Sequence, residues 1–168
     1  MRLTDYTDYT LRVLMFCAAN PDRLVTIAEL AEHHHLSKNH LMKIVNDLSR
    51  QGVIETTRGR GGGMRLLKEP EQIVVGEIVR RTETDFRIVE CFDEGTNACL
   101  LSLTCRLKRV FDAAMQAYFK VLDGVTLADI AGPAPQGSPV SRLVPVRGVK
   151  SAPRASVARR AVAAKAQA

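Results

Sequence analysis

The chain lacks any apolar run approaching the roughly 18 residues that a membrane-crossing helix requires. Its opening residues, Met1-Arg2-Leu3-Thr4-Asp5, contain no apolar signal region. A cytoplasmic protein with no membrane partner is expected. Cysteine is sparse: of four in 168 residues, Cys91, Cys99 and Cys105 fall within fifteen positions and Cys17 stands apart. Three clustered thiols and one distant one make a poor disulfide framework, and in a reducing compartment metal binding or redox chemistry is their better use. Cys17 lies in an apolar helical stretch and reads as a small core residue. Histidine is absent from 85–132. That removes a local fourth ligand and argues against a closed structural zinc site.

Acidic residues are absent from 133–168, which hold seven Lys and Arg. Residues 1–132 therefore hold 17 basic and 18 acidic groups, although the whole chain carries +6. The basic balance belongs to the tail, so any nucleic-acid surface in the folded part must be a local patch. Rich in Ala, Pro, Ser, Val and Arg without a period, 133–168 is expected to be a disordered basic tail that adds salt-dependent attraction to polyanions.

The remaining pattern is mainly helical. Thr4 can cap a helix running to about Asn20, with Tyr6, Tyr9, Val13, Phe16 and Cys17 on one face. Thr26-x-x-Glu29 is a capping box that opens a second, short helix. After a turn at His35-Leu36, Ser37 can cap a third helix whose apolar side is Leu41, Ile44, Val45 and Leu48, closed by Gly52. Two helices joined this tightly make a helix-turn-helix. Val53–Arg58 and Met64–Leu67 then read as two short strands around Gly59-Arg60-Gly61-Gly62-Gly63, a wing.

Beyond Pro70, Val75, Ile78, Val79 and Thr82 mark a fourth helix, and 85–90 is expected to be extended. From about Thr104 to Asp123, Leu103, Leu107, Val110, Ala114, Ala117 and Val121 recur at three and four residues, widened by Phe111 and Tyr118. That stripe suits pairing with a second copy. Thr126 opens a last short helix. The fold class expected is a winged helix-turn-helix, mainly α with a small β wing, plus a long dimerisation helix. Its divisions are a DNA-binding domain (1–84), a cysteine cluster loop (85–103), the dimerisation helix with the short last helix (104–132), and the tail.

Two constellations carry chemistry. Ser37, Lys38, Asn39 and His40 form the first turn of the third helix and Lys43 follows one turn later, all off the apolar stripe. Helix-turn-helix proteins meet base edges through this turn, where Lys, His and Asn supply the donors. Arg58, Arg60 and Arg65 surround a glycine turn slim enough to approach a DNA backbone. The partner implied is a double-stranded DNA operator. The glycine run is no dinucleotide loop, since strand pattern and not a helix follows it. His33-His34-His35 is no chelate, since consecutive helical side chains diverge, and it reads as a helix end.

The second constellation is Cys91-x7-Cys99-x5-Cys105, with Asp93, Glu94, Gly95, Thr96 and Asn97 supplying a polar turn that lets three sulfurs face one inorganic centre. Thiolates select zinc, Cu(I) or iron–sulfur clusters.

Taken together, Leu3-Thr4 to Asp8-Tyr9, Ser37 to Ile44, Leu48 to Gly52, Arg58 to Leu66 and the three cysteines resemble the Rrf-two family of bacterial winged-helix regulators, and within it the nitric-oxide-sensitive repressors. The resemblance spans about 1–132. It implies a homodimeric transcriptional repressor, not an enzyme, with one iron–sulfur cluster per subunit, [2Fe–2S] or [4Fe–4S], on Cys91, Cys99 and Cys105. It implies Asp8, reaching from the other subunit, as the fourth ligand, and nitric oxide as the effector that dismantles the cluster and releases DNA. Read from the residues alone, Asp8 is a surface carboxylate paired with Arg12 at i,i+4. The family's iron–sulfur homeostasis repressors carry a His three residues after the third cysteine, where this chain has Lys108. Two alternatives stay open: a regulator whose thiols sense oxidation or iron status or bind zinc, and a small iron–sulfur redox protein.

Overall fold

A computed structural model describes residues 2–93, 95–101 and 104–132. Thr4 sits at the N-cap of α1 (Asp5–Ala18), its side chain accepting from the Thr7 N–H. Val13, Leu14 and Cys17 supply its fully buried stripe. The capping box forms at α2 (Ile27–His34), with Thr26 and Glu29 satisfying each other's backbone N–H groups. The helix ends at His35, which takes the left-handed conformation at φ 55°. His33 and His34 fill the last turn and meet Phe16 edge-on at 4.8 and 5.7 Å.

In α3 (Lys38–Arg50), Leu41, Ile44, Val45 and Leu48 are buried. Ser37 stands at its N-cap as expected but makes no side-chain capping bond there, which corrects one detail: the first turn gains only the extended backbone of a cap. Gly52 follows at φ 65°, a conformation costly for other residues.

Strands β1 (Ile54–Thr57) and β2 (Gly63–Leu66) pair antiparallel with Ile54 opposite Leu66 and Glu55 opposite Arg65. Met64 of β2 also exchanges both backbone bonds with Val25, at 2.8 and 2.9 Å. The wing is thereby pinned to the segment that enters α2. A β-carbon at Gly63 would stand 2.7 Å from the Val25 carbonyl, so this approach requires glycine.

After a 3-10 turn at Pro70–Gln72, α4 (Val75–Thr82) buries Val75, Ile78, Val79 and Thr82. The connector at 85–90 forms no strand. Val89 is extended, at φ −138° and ψ 156°, and the chain enters a 3-10 turn only at Glu90–Phe92. Two helices complete the fold, α5 (Arg106–Asp123) and α6 (Leu127–Ala131). The chain then doubles back. The Leu127 N–H donates to the Ile73 carbonyl at 2.8 Å, Val75 donates to Val125 at 2.9 Å, and Leu127 enters the main core. No residue of α5 is buried. Phe119 and Leu122 pack beside Val75, Val79 and Val125, whereas Leu107 and Val110 are 57 % and 61 % exposed. Leu103, also expected in this stripe, and the tail 133–168 lie outside the described residues. Among the described residues no helix is long and apolar enough to cross a membrane.

Candidate DNA interface and cysteine centre

The start of α3 stands open. Ser37, Lys38, Asn39 and His40 are exposed, as is Lys43 one turn on. His40 and Lys43 also line a cavity of about 260 Å³ against Asp5, Tyr6 and Tyr9 of α1. The Lys43 ammonium sits 5.7 Å from the centre of the Tyr6 ring, near enough for a cation–π contact. The Tyr6 hydroxyl donates to Asp47 at 2.8 Å. Burial and the Asp47 carboxylate push the Tyr6 phenol up to about 12.

The open face of α3 extends further than the sequence reading had it. Met42, Asn46 and Arg50 share it with Asn39 and Lys43, at spacings of three and four residues. The same helical period that located the apolar stripe contains this exposed complement, polar except for Met42. Arg58 and Arg60 project from the wing. Arg65 is held by its cross-strand neighbour Glu55, so part of its charge is answered within the protein.

Cys91, Cys99 and Cys105 line one half-open cavity of about 240 Å³ together with Leu101, Leu107, Lys108 and Phe111. Cys91 belongs to the 3-10 turn, Cys99 to the loop, and Cys105 is the N-cap of α5. None of the four cysteines is in a disulfide. Cys17 is buried in the main core, which raises its thiol pKa to about 12.

Local bonds hold the loop in shape. Asp93 accepts from the Gly95 N–H at 3.0 Å and the Thr96 hydroxyl at 2.8 Å and pairs with Arg87. The hydroxyl and the amide hold its carboxyl below the usual range. The Ala98 N–H donates to Glu90 at 2.8 Å and the Cys99 N–H to Asn97 at 3.0 Å. Glu94 lies outside the described residues. Among the described residues, no three of His, Cys, Asp and Glu gather closely enough to hold a single metal ion.

The structure does not bring Asp8 into this cavity within one chain. Asp8 is half-exposed on α1 and pairs with Arg12 at 2.6 Å, whose guanidinium is 5.8 Å from the Tyr9 ring centre. His34 is near both. Its Nε2 is buried without a partner, and burial lowers its pKa, followed by His33 and Arg12.

Residues 3–133 match the family model of Rrf2, described as an iron-dependent transcriptional regulator. A Bacillus subtilis protein named HTH-type transcriptional regulator NsrR is 54 % identical over 131 residues, covering 77 % of this chain and 90 % of its own. Its namesake in Bacillus licheniformis is 53 % identical over the same length, with 92 % of that protein covered. Among solved structures, the oxidized form of Staphylococcus aureus CymR superposes with a TM-score of 0.64 at 25 % identity, over 79 % of this chain and 98 % of that one.

Proposed function

The chain belongs to the Rrf2 family of transcriptional regulators, and on that premise we propose that it is a homodimeric, cluster-dependent repressor responsive to nitric oxide. As a member of this family it is a DNA-binding regulator and not an enzyme. The observation that carries the finer reading is the meeting of Cys91, Cys99 and Cys105 around one cavity at the root of α5.

The donor set suits an iron–sulfur cluster. Cys91, Cys99 and Cys105 line one half-open, largely apolar hollow, and thiolates are the ligands such clusters take. Cys91, Cys99 and Cys105 would hold such a cluster, either [2Fe–2S] or [4Fe–4S]. Asp8 of the other subunit is the proposed fourth ligand, a carboxylate that exchanges more readily than a thiolate. When bound, the cluster supplies iron that reacts with nitric oxide. Leu101, Leu107 and Phe111 supply apolar walls beside the sulfurs, and the Asp93 and Glu90 bonds hold the loop that carries Cys99.

The outward face of α5, with Leu107, Val110, Ala114 and Ala117 exposed, is the proposed dimer seam. DNA is met by Ser37, Lys38, Asn39, His40 and Lys43 in the major groove and by Arg58, Arg60 and Arg65 along the backbone. Residues 1–84 act as the reader and 85–132 as sensor and dimer arm, in the cytoplasm.

Anaerobic titration with nitric oxide, following visible absorbance and operator binding together, tests the reading. Loss of both signals in parallel is expected; DNA binding that persists after the absorbance has gone refutes it. The family's iron-dependent description favours a second reading, an iron-status sensor on the same thiols. Release of DNA by an iron chelator but not by nitric oxide selects that one.

A further inference from the structure

The first turn of α1 is tied on two sides. Toward α4, the Thr4 N–H and hydroxyl both donate to Glu83 Oε1, at 2.7 and 3.1 Å. The buried Thr7 hydroxyl donates to the buried Thr82 hydroxyl at 2.9 Å, which in turn donates to the Ile78 carbonyl at 2.9 Å. Glu83 places a carboxylate at a helix N-terminus, where the dipole favours it. It is also the residue that ends α4, and the connector running on from it reaches Cys91. Toward α3, Tyr6 of the same turn donates to Asp47, and its ring carries Lys43. A cavity of about 260 Å³ lies beside Tyr6, between α1 and α3.

We propose that Tyr6 is a positioning residue: through its bond to Asp47 it passes the placement of the 83–90 connector, and so of the cysteine cavity, to the DNA-reading helix α3. The inference rests on the function proposed above and adds a route within one subunit. Glu83 and Thr82 lie where the connector leaves α4, they are bonded to Thr4 and Thr7, and the same turn of α1 holds α3 through Tyr6. A coupling of this kind is a ratio of affinities, not an affinity.

The test uses full-length protein with and without its cluster. For wild type and for Tyr6→Phe, Asp47→Ala, Thr82→Val and the Tyr6→Phe/Asp47→Ala pair, the operator Kd is measured in both forms, alongside iron content and Tm. Expected are wild-type iron content and spectrum throughout. The ratio of cluster-free to cluster-loaded Kd falls about tenfold in each single variant, and the pair loses no more than either alone. A merely structural role weakens both forms alike and leaves the ratio intact, which overturns the proposal. Should Tyr6→Phe fail to fold, Asp47→Ala and Thr82→Val decide the matter. A wild-type ratio of one refutes the functional reading itself, and is seen before any variant is compared.

Discussion

Gly76 and Asp123 approach too closely for a side chain to stand between them. A β-carbon at Gly76 would lie 2.0 Å from Asp123 Oδ1 and 3.0 Å from the Asp123 nitrogen. That carboxylate grips Arg80 through both oxygens, one of them at 2.7 Å, and Arg80 lies 4.2 Å from the Phe119 ring centre. Phe86, on the connector to the cysteines, meets Phe119 edge-on at 4.8 Å. The junction of α4 and α5 therefore depends on an absent methyl group. Gly76→Ala is expected to destabilise the protein by about 1–3 kcal/mol, the usual cost of overpacking, read by chemical denaturation. Adding Asp123→Ala should recover part of the loss. A double variant as unstable as the sum of its parts would place the cost elsewhere.

Thiol reactivity separates the two kinds of cysteine. In folded, cluster-free protein a disulfide reagent at pH 8 should label Cys91, Cys99 and Cys105, which are partly exposed, and spare Cys17. Burial pushes the Cys17 thiol up to about 12, leaving almost no thiolate at that pH. Labelled peptides identified by mass spectrometry check this; Cys17 should react only in denaturant.

Helix and wing should contribute differently to DNA binding. Asn39→Ala or His40→Ala is expected to cost about 1–3 kcal/mol at the operator and relax its sequence preference. Arg60→Ala should weaken all sequences alike and reduce the salt slope by about one. Titrations at several salt concentrations on operator and unrelated DNA distinguish the two patterns.

Acid should act on stability in two windows. His34 has a lowered pKa in the folded protein, so below about 6.5 the unfolded chain takes up the proton first. Protonation thus favours unfolding, and stability falls as pH drops from 7 through that value. The carboxylates of Glu29, Asp85, Asp93, Asp123 and Asp129 are also lowered, and their contribution disappears only below about pH 4. In denaturation curves measured from pH 7 to about pH 3, His34→Gln should flatten the slope between 7 and 5 and leave the limb below about pH 4 unchanged.

The proposed dimer seam predicts a change in assembly without a change in fold. Val110→Lys, on the exposed face of α5, should convert a dimer to a monomer in sedimentation equilibrium while the helical circular dichroism stays intact. A variant that sediments as wild type would move the seam elsewhere.

Local rules account for most of what the chain disclosed unaided. Thr4, the Thr26–Glu29 box, Gly52 and the glycine turn each act within a few residues, so α1, α2, α3 and the wing could be read from spacing and capping alone. The three cysteines were legible as a group because a short polar loop keeps them near one another. Relations between distant segments were not legible, because sequence period says which face is apolar and not which partner it meets. Thr82 could be placed on the inner face of α4 by period, but nothing in the sequence indicated that its hydroxyl would meet that of Thr7, 75 positions away. The notch between Gly76 and Asp123 has no sequence signature. Nothing local indicated that Leu127 would return to the main core, or that the apolar period of α5 divides between Phe119, packed against α4, and Val110, left in solvent. Local spacing and chemistry determined the helices, the caps at Thr4 and Thr26, and the thiol set; the tertiary fold alone decided how the cysteine loop, α1 and α3 are joined, because those joints are made by side chains from separate elements that only packing brings within bonding distance.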